Sequence, residues 1–203
     1  MIALVLGGVA VAADDVPVVD EQAGEFTADA LAFESRVQVA AACNEVFKSL
    51  TEFQRLQALV PHLQGKSPVS TATKPGDALT YEFERADGSK NSGRLVLTTL
   101  EPGNRVQVLV QPEEGPWQRV QEFRLYAPAA GPKQEKECNV TYEETYNPKV
   151  LRNLAYNMKE IVQHVRKPYM EIILRRLKNL AEGKEPGPKA EVAKLKEIAR
   201  NFP

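Results

Sequence analysis

Residues 33–53 read FESRVQVAAACNEVFKSLTEF, and a change of period inside this stretch sets the fold. Phe33, Val37 and Val39 share one parity while Glu34, Arg36 and Gln38 share the other, which predicts a half-buried strand. From Val46 the apolar spacing becomes three and four, through Phe47, Leu50 and Phe53, so residues 40–53 are expected to form a short amphipathic helix. Residues 54–60 (QRLQALV) predict a second short helix, ended near Pro61.

Beyond Gly65 the period returns to two. Strands are expected over 66–74, 78–85, 93–100, 104–111, 117–126 and 137–146. They are separated by turn formers, among them Pro75-Gly76-Asp77, Asp87-Gly88, Pro102-Gly103-Asn104 and Gly115-Pro116. Short links between six such strands imply an antiparallel meander. Residues 149–182 then carry Leu151, Leu154, Met158, Val162, Val165, Tyr169, Ile172, Ile173 and Leu180 on one helical stripe. A helix of that length spans about 50 Å, enough to cross a small sheet. Pro168 inside it predicts a bend near His164–Pro168. Residues 184–203 are expected to be a basic tail or a short peripheral helix through Val192, Leu195 and Ile198.

The order is strand, two short helices, six strands, long helix. It predicts an α+β helix-grip fold, a curved antiparallel seven-stranded sheet wrapped around the C-terminal helix. The stretch Val37–Leu50, VQVAAACNEVFKSL, resembles the START-like or SRPBCC superfamily, which includes polyketide cyclase/dehydrase-like lipid carriers. It is similar to that superfamily's first strand running into a helix of the form Ala-x-x-x-Val-Phe-x-x-Leu, with Cys43-Asn44 where members often carry proline. The Pro75-Gly76 turn and the terminal helix fit as well, and the resemblance covers residues 31–183. It implies a cavity between sheet and helix for a lipid, sterol, polyketide or similar apolar molecule. Strand and helix parity nominates Tyr81, Phe83, Val108, Phe123, Tyr142, Met158, Val162, Val165 and Tyr169 as its wall, although a packed core uses the same residue types.

Several classes of chemistry are missing. No phosphate-binding glycine loop, Rossmann fingerprint, nucleophile elbow or H-E-x-x-H motif occurs, and two cysteines with two histidines exclude a cysteine-rich zinc module. No catalytic residue, metal ligand or cofactor site is assigned. His62 is expected near the cavity mouth and His164 in solvent or capping the bend, neither with a sequence neighbour to orient it. Arg176 falls within the apolar stripe, where it would either snorkel outward or meet an acidic ligand group. A formal charge of −1 gives no field for nucleic acid. Nine basic against four acidic residues over 148–185 leave room for peripheral contact with an anionic membrane, or simply mark a solvated helix face.

Residues 1–13, MIALVLGGVAVAA, resemble the apolar core and cleavage site of a secretory signal, without its basic leader; a short buried strand is the alternative. Residues 14–30 form an acidic lead-in. A signal here would place the protein in the periplasm or outside the cell, and otherwise it is cytoplasmic. In the proposed fold the first and last strands are antiparallel neighbours. That brings Cys43 and Cys138 to one end of the sheet, as a disulfide or as two buried thiols. The expected function is binding or transport of a hydrophobic small molecule. The alternatives are a cyclase, dehydratase or aromatase using the same cavity, which would need polar groups inside it, and a protein-interaction or quinone-chaperone module.

Overall fold

A computed structural model describes residues 32–67, 70–84, 87–113, 119–128, 136–146 and 165–201. Seven strands form one antiparallel sheet: β1 (Ala32–Val39), β2 (Gln64–Lys66), β3 (Ala78–Glu84), β4 (Lys90–Glu101), β5 (Arg105–Pro112), β6 (Arg119–Tyr126) and β7 (Cys138–Tyr146). The spatial order is β1-β7-β6-β5-β4-β3-β2, so the meander β2 to β7 closes on the first strand of the chain. Four helices are described: α1 (Cys43–Thr51), α2 (Phe53–Leu59), α3 (Lys167–Ala181) and α4 (Lys189–Asn201). The core lies between the concave sheet face and α1, α2 and α3.

Alternation dictates which side chains enter that core. On β3, Leu79, Tyr81 and Phe83 are buried while Thr80, Glu82 and Glu84 are exposed. On β6, Arg119, Gln121, Phe123 and Leu125 share the inward parity, and on β7, Cys138, Val140, Tyr142, Glu144 and Tyr146 do. The Tyr81 ring lies over the backbone of β4 at Gly93, where a Cβ would stand 2.6 Å from the tyrosine hydroxyl. Glycine is therefore what lets a large aromatic cross this strand. The Pro75-Gly76 turn is held by Asp77, whose Oδ2 accepts from the amides of Thr73 (2.8 Å) and Lys74 (3.1 Å).

The 66–74 strand is corrected to the three residues of β2, followed among the described residues by an isolated bridge between Glu52 and Thr71. β2 is an edge strand, paired with β3 alone among the described residues, through Gln64–Glu82, Gly65–Tyr81 and Lys66–Thr80. The same bridge separates the short helices: Glu52 is extended, so Phe53 opens α2 instead of ending α1. Pro168 is the second residue of α3, and residues 165 and 166 before it are helical as well. Residues 149–164 lie outside the described residues, and with them the expected bend, His164, Met158 and Val162. The C-terminal segment takes the helical option, with Leu195 and Ile198 buried.

Side chains tie the layers together. On the β1 edge, Lys178 Nζ donates to the Gln38 carbonyl (2.8 Å) and Glu182 accepts from the Ala40 amide (2.8 Å). Arg176 neither snorkels nor waits for a ligand. It is buried and caps the end of α2, donating to the carbonyls of Ala58 (2.7 Å) and Leu59 (3.2 Å), with Glu191 of α4 3.9 Å away. A helix C-terminus leaves carbonyls without partners, and a cation satisfies both them and the dipole.

Register pairs Val39 with Cys138, and Cys43 follows four residues later at the start of α1. The two sulfurs are joined, with Cα atoms 5.0 Å apart, and the bond closes a separation of 95 residues. It fastens α1 to the first residue of β7. Among the described residues no helix is long and apolar enough to cross a membrane.

Candidate functional site

A buried polar cluster fills one side of the interior. Glu144 on β7 has no exposure, and its carboxylate accepts from five donors. Arg166, just before α3, grips it with two nitrogens, Nη2 to Oε1 at 2.7 Å and Nε to Oε2 at 3.0 Å. Tyr146 Oη donates to Oε2 (2.8 Å), while Tyr142 Oη (2.5 Å) and Gln121 Nε2 (2.9 Å) donate to Oε1. Gln121 Nε2 also reaches Tyr142 Oη at 2.8 Å. Arg119 Nε stands 3.9 Å from Oε1. The cluster assembles because inward parity on β6 and β7 sets Gln121 and Glu144 side by side, Gln121 pairing with Glu144 in the register.

A second layer lies on α3. The Arg166 guanidinium sits 4.0 Å over the Tyr169 ring, and His62 meets that ring edge-on, with Nε2 3.4 Å from Tyr169 Oη. Phe123 and Tyr142 stack at 4.4 Å, nearly parallel. His62 is therefore buried in the interior and not at a mouth, and among the described residues its Nδ1 has no hydrogen-bond partner.

The charges fix the protonation states. Burial raises the Glu144 carboxyl, but Arg166 and Arg119 outweigh it and hold it at about 2, helped by hydrogen bonds from Arg166 and Tyr142. Burial, and after it the positive charges of Arg166, Arg119, Arg176 and Lys196, push His62 down to about 3. Burial raises Tyr142, with Glu144 adding to it, and raises Tyr169 against the pull of Arg166 and Arg119. At neutral pH the cluster thus holds an ionised carboxylate, the Arg166 guanidinium, a neutral imidazole and intact phenols.

Next to the cluster lies a cavity of about 20 Å³. Leu56, Leu59, Val60 and Leu63 line it from the α2 side, Leu95, Val108 and Phe123 from the sheet, and Ile173 from α3. Its polar side is made by Arg119, Gln121, Tyr142 and Tyr169. That volume admits one water-sized group. Four of the nine wall residues expected from the sequence line it: Val108, Phe123, Tyr142 and Tyr169. Tyr81 and Phe83 are buried but pack on each other, with ring centres 6.1 Å apart, and Val165 is only partly buried against the core.

The polar members escaped the sequence reading, which ranked inward positions by hydrophobicity. Their signal was present: Arg119 and Gln121 share parity with Phe123, and Glu144 and Tyr146 with Tyr142. Arg166, counted with the solvated charges of the long helix, is corrected to a buried partner of Glu144. Among the described residues no group of three or more metal-ligating side chains occurs.

The sequence matches no family model and no curated protein. Solved structures do share the architecture. A protein from Arthrobacter aurescens, determined by solution NMR, superposes with a TM-score of 0.56 at 14% identity, over 78% of this chain and 90% of that one. Ara h 8.0201 gives 0.53 at 13% identity, over 76% and 96%. CalU16 from Micromonospora echinospora gives 0.51 at 16%, over 85% and 86%. At these identities the likeness is one of fold. The chain has the helix-grip fold, an open antiparallel sheet packed against helices.

Proposed function

We propose that the chain binds a hydrophobic small molecule between the concave sheet face and α3, and does not transform it. The observation that carries this reading is the cavity, apolar over most of its wall and polar on one side. Ligand pockets combine such a wall with a few placed polar groups. Drug-sized ligands occupy roughly 300–1,000 Å³, so uptake must enlarge a space of about 20 Å³.

The polar cluster is what a cyclase-type enzyme would require, but its protonation states favour binding. Proton transfer near neutrality works best with groups whose pKa lies near the operating pH. Here the carboxylate is held near 2, the imidazole near 3, and the cavity-lining tyrosines Tyr142 and Tyr169 are raised. The proposal includes an oxidising compartment, periplasmic or extracellular. The Cys43–Cys138 bond and the signal-like residues 1–13 support it, since disulfides persist where thiols are not kept reduced.

The test is native mass spectrometry and lipid analysis of the full chain purified from its own host. A stoichiometric apolar compound, released unchanged, is the expected result. A compound chemically altered on incubation would move the assignment to the enzyme. A chain carrying nothing, and taking up nothing from a host lipid extract, would end the reading.

A further inference from the structure

The hydrogen bonds around the small cavity are unevenly spent. Gln121 Nε2 donates to Tyr142 and Glu144, and the Tyr142 hydroxyl proton is taken by Glu144. Tyr169, on the same wall, differs. Its oxygen lies 3.4 Å from His62 Nε2, a long contact, and His62 Nδ1 is buried without a partner among the described residues. A neutral imidazole has one N–H and one lone pair. A proton on Nδ1 would be buried with neither an acceptor nor a cavity beside it, whereas a proton on Nε2 frees the O–H of Tyr169, which lines the cavity, and this assigns the proton to Nε2. His62 then donates to the Tyr169 oxygen, and the Tyr169 O–H is left to point elsewhere. The cavity beside it has room for one oxygen atom with its hydrogens.

We infer that this cavity is a subsite for a single hydrogen-bond-accepting oxygen, a ketone or one oxygen of a carboxylate, on an otherwise apolar ligand. Tyr169 is its donor, and His62 is the positioning residue that turns the hydroxyl toward it. The inference deepens the proposed binding function and rests on it. Arg119 on the same wall favours an accepting oxygen and opposes an ammonium. A hydrocarbon filling the space would leave a buried donor unmatched, which costs affinity.

Four probes of matched length decide it: methyl hexyl ketone, octanoate, octane and octylammonium. Each is titrated into the nitrogen-labelled full chain and followed by amide NMR shifts. The ketone and octanoate should bind about tenfold more tightly than octane or octylammonium. Tyr169→Phe, which removes the donor and keeps the ring, should cut that advantage to about twofold or less and leave octane unchanged. Equal binding of all four probes overturns the oxygen subsite and leaves the binding function standing. Binding by none of them ends both. An equal loss for every probe in the variant makes Tyr169 structural and overturns the inference. The wild-type imidazole supplies an independent readout: ring nitrogen shifts should show the proton on Nε2, and a proton on Nδ1 overturns the inference.

Discussion

His62→Gln should flatten the stability of this protein between about pH 6.5 and pH 4.5. In the folded chain burial and four nearby positive charges hold the imidazole at about 3, against 6.5 for the ordinary group. Between those values the unfolded chain carries a proton at His62 that the folded chain rejects. Folding stability therefore falls as pH drops, by about 1.36 kcal/mol per pH unit. Two units below 6.5 remove about 2.7 kcal/mol, a large part of a typical domain's stability. Glu144 acts in a different window: its folded value is about 2 against 4.5, so its contribution is whole above 4.5 and is lost as pH falls toward 2. The interval from 6.5 to 4.5 thus isolates the histidine. The assay is urea denaturation at half-unit steps of pH with the disulfide kept oxidised. Wild type should lose stability across the interval, and the variant should lose much less. An unchanged slope in His62→Gln, or a flat wild-type curve, would refute the reasoning, since the folded imidazole would then accept the proton.

Reduction of Cys43–Cys138, or Cys43→Ser, frees a separation of 95 residues; the chain-entropy model gives a loss of about 4–5 kcal/mol as an upper figure, read from urea midpoints with and without reductant. Gly93→Ala puts a methyl group 2.6 Å from both the Gln111 carbonyl and the Tyr81 hydroxyl, and should cost about 1–3 kcal/mol by thermal unfolding. Arg176→Met strips the caps from Ala58 and Leu59 and leaves Glu191 with Arg175 alone, so Tm should fall by the equivalent of about 2 kcal/mol. Hydrogen exchange should rise first in α4. Glu144→Gln strands the Arg166 charge, at about 3–5 kcal/mol. Glu144→Leu combined with Arg166→Met should recover most of that loss in the same denaturation assay.

The sheet was legible because its strands alternate plainly and their turns carry Gly, Pro, Asn and Asp at backbone positions that need them. Leu79/Tyr81/Phe83 and Val106/Val108/Val110 give their faces directly, and all six are buried. Strand adjacency then follows from the meander, and with it the approach of Cys43 to Cys138. The short β2 differs from the expected strand because period two persists in the sequence past Lys66, while the described ladder with β3 ends there. The cavity wall was half legible for a related reason. Parity identifies inward positions whatever their chemistry, but hydrophobicity was used to choose among them. Glu144, Gln121 and Arg119 were passed over because a buried charge is improbable until its partner is known. That partner, Arg166, lies 22 residues from Glu144, just before α3, and only the fold brings them together.

The energetics of the Glu144–Arg166 pair bear on why an interior of this kind holds charges at all. Desolvating both ions costs several kcal/mol each, and their attraction, with hydrogen bonds, roughly offsets that cost; well-packed apolar substitutes usually serve stability as well or better. Stability alone therefore does not account for the pair. What an apolar core lacks is orientation. With five donors converging on one carboxylate, Tyr142, Tyr146, Gln121 and Arg166 are each held in one rotamer. Arg166 in turn lies over the Tyr169 ring, and Tyr169 meets His62. The result is a fixed polar wall beside an otherwise apolar cavity, already desolvated before anything enters. A hydrogen bond offered from such a wall loses little on binding, because neither reorganisation of side chains nor removal of bulk water is required.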